Sequence, residues 1–272
     1  MAITSHTASG IAYDRAGPSG GVPIVLVHAG VADRRMWDDL WSHLTARHDV
    51  VRLDLRGFGD STRRPAAQLF PVDDVLETLD ELDIDSCHLV GASFGAGVAT
   101  EVTLTRPSAV SSLLLITPGG SLIDEVTPTL QAFIDAEDAA LEADDLDAAV
   151  EANLTTWVDG PHRDATAVDP GVRELVGVMQ RRAFELTADW DDVEETELDP
   201  PALDRLGEIT TPTLVLVGRL DLDAILTAAD RVTNDIAGIR RVDWSETAHL
   251  PTMERPDEFV ALLTDWITEV SG

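Results

Sequence analysis

The chain has 272 residues, 44% of them hydrophobic, and carries 50 acidic against 19 basic side chains, a formal charge of -31. This balance excludes a sequence-blind nucleic-acid binder and disfavours anionic membrane surfaces, since both draw on clustered Lys and Arg; the apolar content speaks against disorder, which needs low hydrophobicity together with high charge. One cysteine, Cys87, excludes an intramolecular disulfide and speaks against a cysteine-based zinc site.

Residues 22–28 form a β-branched apolar run ending at Ala29-Gly30, and Met36, Trp37, Leu40, Trp41 and Leu44 follow at helical spacing, which predicts strand, loop and helix. Residues 50–55 predict a second strand, closed by Arg56-Gly57-Phe58-Gly59-Asp60-Ser61 and followed by a helix that faces inward with Val72, Val75, Leu76 and Leu79. The pattern repeats in a strand at 87–92, a helix of small residues at 95–105, and a strand at 110–116 that breaks at Pro118-Gly119-Gly120. Strands this apolar predict a parallel sheet covered on both faces.

From about 122 to 206 the strand pattern gives way to acidic amphipathic helices, such as 129–152 and 170–190, the second with Asp169 as N-cap and Pro170 at the first helical position. The alternation resumes with a strand at 213–217, a helix around 224–236, a strand at 239–244 and a last helix opened by Pro256. An α/β chain is therefore expected: residues 1–121 as a first core part, 122–207 as a helical cap, and 208–272 as a second core part.

Three loop positions carry the chemistry. Gly91-Ala92-Ser93-Phe94-Gly95 puts a serine between small residues where a strand meets a helix, the context in which G-x-S-x-G forms a strained elbow that exposes its hydroxyl. A serine hydroxyl is a weak nucleophile until a base takes its proton, so a histidine is needed on a later loop. His249 fits, after the strand at 239–244; His28, at the end of a strand, is its competitor. The base needs an orienting carboxylate, and Asp221 follows the strand at 213–217, with Asp223 and Asp124 as alternatives. A tetrahedral oxyanion needs donors, which the backbone N–H of Phe94 and the loop at Ala29-Gly30 can supply.

With these residues in the order Ser93, Asp221, His249, the chain resembles the α/β-hydrolase superfamily over residues 11–270. His28-Ala29-Gly30 resembles the family's His-Gly-x oxyanion loop, with Ala29 in the glycine position, and by that resemblance Gly30 is the second donor. Asp54-Leu55-Arg56-Gly57-Phe58-Gly59-Asp60-Ser61 resembles the family's structural D-x-R-G-x-G-x-S turn. His249 through Glu254, Pro256 and Phe259 resemble its G-H-x-x-x-x-E-x-P-x-x-F ending, with Ala248 replacing the glycine.

Met36-Trp37-Asp38 after the oxyanion loop is similar to 3-oxoadipate enol-lactonases, and a helical cap is shared with esterases and C–C bond hydrolases. The resemblance implies an α/β-hydrolase fold: a mostly parallel central sheet flanked by helices, with the cap inserted before the last two strands. The activity it implies is a cofactor-free serine hydrolase acting on a small ester, lactone or related acyl bond. A serine at the elbow speaks against the superfamily's haloalkane dehalogenases and epoxide hydrolases, which use aspartate there. Perhydrolase or haloperoxidase chemistry and C–C bond hydrolysis would use the same triad, while a ligand-binding receptor on this fold is the alternative of another class.

Trp157, Met179, Phe184 and Phe133 are expected either in the core or lining an apolar pocket beneath the cap. Arg181 and Arg182 are expected in solvent unless one turns inward to meet a substrate carboxylate. A small-molecule acyl substrate is the expected partner, with no metal, cofactor, nucleic acid or membrane, in a cytoplasmic monomer or homodimer. All basic residues other than histidine are arginine, and acidic clusters such as Glu137, Asp138, Glu142, Asp144, Asp145 and Asp147 raise adaptation to high salt as a further expectation.

Overall fold

Side chains that alternate between two apolar faces make the centre of this acidic chain dry. The computed structural model describes residues 4–272, so residues 1–3 of the expected first core part lie outside the described residues. The strands are β1 (Ser5–His6), β2 (Ala12–Ala16), β3 (Ile24–Val27), β4 (Val50–Leu53), β5 (Gln68–Leu69), β6 (Cys87–Ala92), β7 (Val110–Ile116), β8 (Glu194–Glu195), β9 (Thr213–Gly218) and β10 (Arg240–Trp244). Eight of them form one sheet in the order β1-β2-β4-β3-β6-β7-β9-β10. Its β1–β2 and β2–β4 pairs are antiparallel and the remaining pairs parallel.

The α-helices are α1 (Asp38–Thr45), α2 (Pro71–Glu81), α3 (Phe94–Thr105), α4 (Pro128–Glu142), α5 (Leu146–Asn153), α6 (Pro170–Thr187), α7 (Asp223–Asp235), α8 (Pro251–Glu254) and α9 (Pro256–Ser271). Ile24 and Leu26 of β3, Leu114 and Ile116 of β7, and Leu214 and Leu216 of β9 point to one face, where Trp37, Leu40, Phe259 and Leu263 cover them. Their neighbours Val25, Val27, Leu113, Leu115, Val215 and Val217 point to the other, against Val75 and Leu79 of α2 and Ala99 and Val102 of α3. The period of two is why β3, β7 and β9 are buried on both sides.

The antiparallel edge strand β2 carries the polar sequence Ala-Tyr-Asp-Arg-Ala, and Asp14 is buried there by ion pairs with Arg34 and Arg52. Charge pairing substitutes for the apolar alternation that would have revealed this strand in the sequence.

Between β7 and β9 the expected helix at 129–152 is two helices. Asp144 takes a positive φ of 55° and the Asp145 carboxylate accepts from Ala148 N–H at 3.0 Å, so one aspartate turns the chain and the next caps α5. Helix α5 runs on into a π-helical turn, Leu154–Asp159, that carries Trp157. The expected helix at 170–190 ends at Thr187. A strand also occurs where only helices were expected, since β8 pairs in parallel with β5 and ties the insertion to the core. With two glutamates as its residues, β8 has no apolar pattern to betray it. Among the described residues no helix is long and apolar enough to cross a membrane.

Candidate active site

The loops after β6, β9 and β10 converge at the carboxyl edge of the sheet, where open α/β sheets bind ligands. Ser93 sits between β6 and α3 with φ 52° and ψ -116°, a backbone conformation that non-glycine residues avoid and that concentrates at functional sites. Crowding explains the flanking glycines. A Cβ on Gly91 would lie 2.1 Å from the Gly95 carbonyl oxygen, and one on Gly95 would lie 2.4 Å from that of His28.

Ser93 Oγ and His249 Nε2 are 2.6 Å apart, and His249 Nδ1 is 2.7 Å from Asp221 Oδ2. A carboxylate only accepts hydrogen bonds, so Nδ1 carries the ring hydrogen and the Nε2 lone pair faces the serine hydroxyl. Asp221 is buried, and its other oxygen accepts from Leu222 N–H at 2.8 Å. The alternatives are engaged elsewhere: Asp223 accepts from Thr127 Oγ1 at 2.7 Å, and Asp124 pairs with Arg231. His28 is also spent. Its Nδ1–H donates to Ala29 O at 2.8 Å, its Nε2 accepts from Leu55 N–H at 2.9 Å, and burial holds its pKa below the ordinary imidazole value.

Three contacts steady the His249 loop. Glu254 accepts from Ala248 N–H at 2.8 Å, Thr117 Oγ1 donates to His249 O at 2.9 Å, and Gly218 lets β9 pass so close that a Cβ there would lie 1.9 Å from Ala248 O. Thr117, with φ 43°, is a positioning residue the sequence reading missed, and no local motif marks it. The expected structural turn is present: Asp54 accepts from the backbone N–H groups of Arg34 and Asp60 at 2.7 and 2.8 Å, and Ser61 Oγ donates to Asp54 O at 2.7 Å.

Gly30 faces Phe94 across the cleft, a Cβ on the glycine falling 3.3 Å from that of the phenylalanine. Neither backbone N–H has an acceptor among the described residues. Both residues and the Ser93–His249 pair border a cavity of about 340 Å³, within the range of small-molecule sites.

The insertion supplies the opposite wall, including Phe133, Trp157 and Phe184. The Trp157 ring lies 4.6 Å from the His249 ring between centroids, and Phe133 meets Trp157 edge-on at 5.1 Å. Met179 stands apart from this wall: it is buried beside the loop after β3, its sulfur accepting from Asp33 N–H at 3.4 Å. Arg181 pairs with Asp147 on the surface and Arg182 is exposed, so neither meets the cavity.

Glu137, grouped by sequence with an acidic cluster, lines the cavity. Burial pushes its carboxyl above the ordinary range, against a hydrogen bond from Asn153 Nδ2. The signal was available, because Glu137 lies one turn from Phe133 and shares its helix face. Cys87 is buried and its thiol is pushed up to about 12 by desolvation, which makes it inert packing. No group of three or more His, Cys, Asp or Glu side chains able to hold a metal ion occurs among the described residues.

A model of the alpha/beta hydrolase family matches residues 24–262. The chain belongs to the alpha/beta hydrolase family. Part of this hydrolase is 41% identical over 110 residues to the dihydrolipoyllysine-residue acetyltransferase component of the acetoin cleaving system of Pseudomonas putida, a match covering 38% of this chain and 29% of that protein. Over longer spans it is 25% identical to the karrikin insensitive 2 receptor IA of Petunia hybrida, across 260 residues and 90% of each chain. Among solved structures the hydrolase resembles Est816, described as an N-acyl homoserine lactone degrading enzyme, with a TM-score of 0.73 and 25% identity over 94% of this chain and 96% of that one.

Proposed function

We propose that the protein is a serine hydrolase that cleaves a small ester or lactone through an acyl-enzyme. The observation that carries this reading is the unbroken run of hydrogen bonds from Asp221 through His249 to Ser93 at the floor of the cavity. Ser93 Oγ attacks the substrate carbonyl as His249 Nε2 takes its proton, and Asp221 keeps the imidazole in the tautomer that can do so. The N–H groups of Phe94 and Gly30 receive the oxyanion, where fixed donors act without reorganising. His249 then protonates the leaving oxygen. Water, deprotonated by the same ring, releases the acyl group and restores the Ser93 hydroxyl. Residues 122–207 serve as the cap that excludes bulk water and shapes the acyl pocket through Trp157, Phe133 and Phe184.

A screen of acyl esters and lactones with Ser93→Ala protein as the blank tests this reading. Turnover that disappears in the variant supports it; no turnover of any member by wild-type protein rejects it. The resemblance to a karrikin receptor supports a second reading, in which ligand retention rather than turnover is the function. Full labelling of Ser93 by a fluorophosphonate would favour the enzyme, whereas a burst without turnover in unlabelled protein would favour the receptor.

A further inference from the structure

We propose that the cavity selects acyl substrates carrying a protonated amine, with Glu137 as the counter-charge, and rejects substrates carrying a carboxylate. The inference rests on the hydrolase reading for the fate of the substrate, though not for its binding.

The cavity contains no arginine, and the chain has no lysine. Its ionisable lining consists of His249, Glu195 and Glu137, and Glu137 forms no ion pair among the described residues. The neutral polar groups beside it do not supply the missing positive charge. Asn153 donates from Nδ2 both to Glu137 and to Ala149 O, the latter at 3.0 Å, so both of its N–H bonds are in use. Gln180 lines the same cavity with only 6% of its surface exposed, and its Oε1 has no hydrogen-bond partner.

Buried acceptors without donors are costly, and a ligand that donates removes the cost. This wall therefore offers a carboxylate and an amide oxygen to a ligand group rich in N–H bonds. An ammonium group carries three donors and no acceptor, which matches that set. A carboxylate would meet two glutamates and an unpartnered oxygen, with no arginine fork to receive it. The apolar stretch between this wall and Ser93, with Phe133 and Trp157, suits a methylene chain linking amine to acyl carbon.

The net charge of -31 attracts any cation, so the experiment must separate the whole-protein field from the cavity. Binding of methyl 6-aminohexanoate, methyl heptanoate and monomethyl adipate to Ser93→Ala protein is measured by calorimetry in about 1 M NaCl, where the Debye length falls to about 3 Å. The three esters are close in length and differ in the terminal charge. The amine is expected to bind at least about tenfold tighter than the alkyl ester, and the carboxylate weaker than both. Adding Glu137→Gln should abolish most of the amine's advantage over the alkyl ester.

Adding Glu142→Gln, which removes the same charge from an exposed position five residues further along α4, should change nothing and serves as the control. The proposal is overturned if the carboxylate binds best, if the three bind equally, or if the two glutamine variants behave alike. Should wild-type protein hydrolyse none of the three while Ser93→Ala binds them in the expected order, the hydrolase reading fails and the amine site stands.

Discussion

Arg163, in the insertion, forms a two-point ion pair with Glu254 at the end of α8, with only 9% and 10% of the respective side chains exposed. The same Glu254 carboxylate accepts from Ala248 N–H, and Arg163 also donates to the carbonyls of Asp159 and Val158 at 2.7 and 2.9 Å. One guanidinium thus ties the π-helical turn bearing Trp157 to the loop bearing His249. Arg163→Ala leaves a buried carboxylate without its cation, a change expected to cost about 3 to 5 kcal/mol. Urea denaturation reads that loss. With the His249 loop loosened, kcat should fall by more than KM rises; unchanged kcat in folded Arg163→Ala protein would show that the pair is purely structural.

The Ser93, His249 and Asp221 contacts give a sharper expectation. Ser93→Ala should lower kcat by about 10⁴ to 10⁶ and Asp221→Asn by about 10⁴, the second because an amide lets the imidazole adopt the wrong tautomer. Cooperative unfolding of both variants would show that the scaffold is intact. Near-full activity in Asp221→Asn would require another carboxylate to orient His249, although Asp223 and Asp124 already have partners.

Glu142, Asp144, Asp145 and Asp147 are exposed around the α4–α5 turn, and only Asp147 of the four has an ion-pair partner among the described residues, Arg181. Like charges spaced within a Debye length of about 8 Å repel at physiological salt and are screened at molar salt. The melting temperature should therefore rise between about 0.1 M and 2 M NaCl. A flat or falling curve in thermal unfolding would remove salt adaptation as the reason for this surface.

The strands β6 and β7 were legible to the residue because their apolar runs end at glycine or proline turns. Ser93, Asp221 and His249 were legible for a related reason: each stands just past a strand, where side chains leave the packed sheet. The edge strand β2 was hidden because Asp14 is buried by arginines rather than by apolar neighbours. Met179 and Phe184 were indistinguishable in sequence, as both repeat at helical spacing on α6. Only the crossing of α6 over the core sends one toward Asp33 and the other into the cavity. Glu137 was not singled out as a cavity residue because local composition grouped it with its acidic neighbours, whereas its side-chain direction follows from the helix phase shared with Phe133.

Glu101 gives stability a pH dependence of definite sign. It is buried on α3 with 3% exposure, and desolvation pushes its carboxyl up to about 7, Glu197 and Glu195 adding to the shift. In the unfolded chain the group titrates near its ordinary value of 4.5. Between those values the folded state holds a proton that the unfolded state has lost, so stability rises as pH falls through 7 and levels off below 4.5. The full effect of this one group is about 3 kcal/mol. Acidification also relieves repulsion across the whole acidic surface, so the wild-type curve alone does not isolate Glu101. Glu101→Gln supplies the comparison, since a neutral amide of similar shape carries no proton linkage. Urea midpoints between pH 8 and pH 5 should rise more steeply for wild-type protein than for the variant, with the variant more stable at pH 8. Parallel curves would mean that Glu101 binds its proton no more tightly in the folded chain than in the unfolded one.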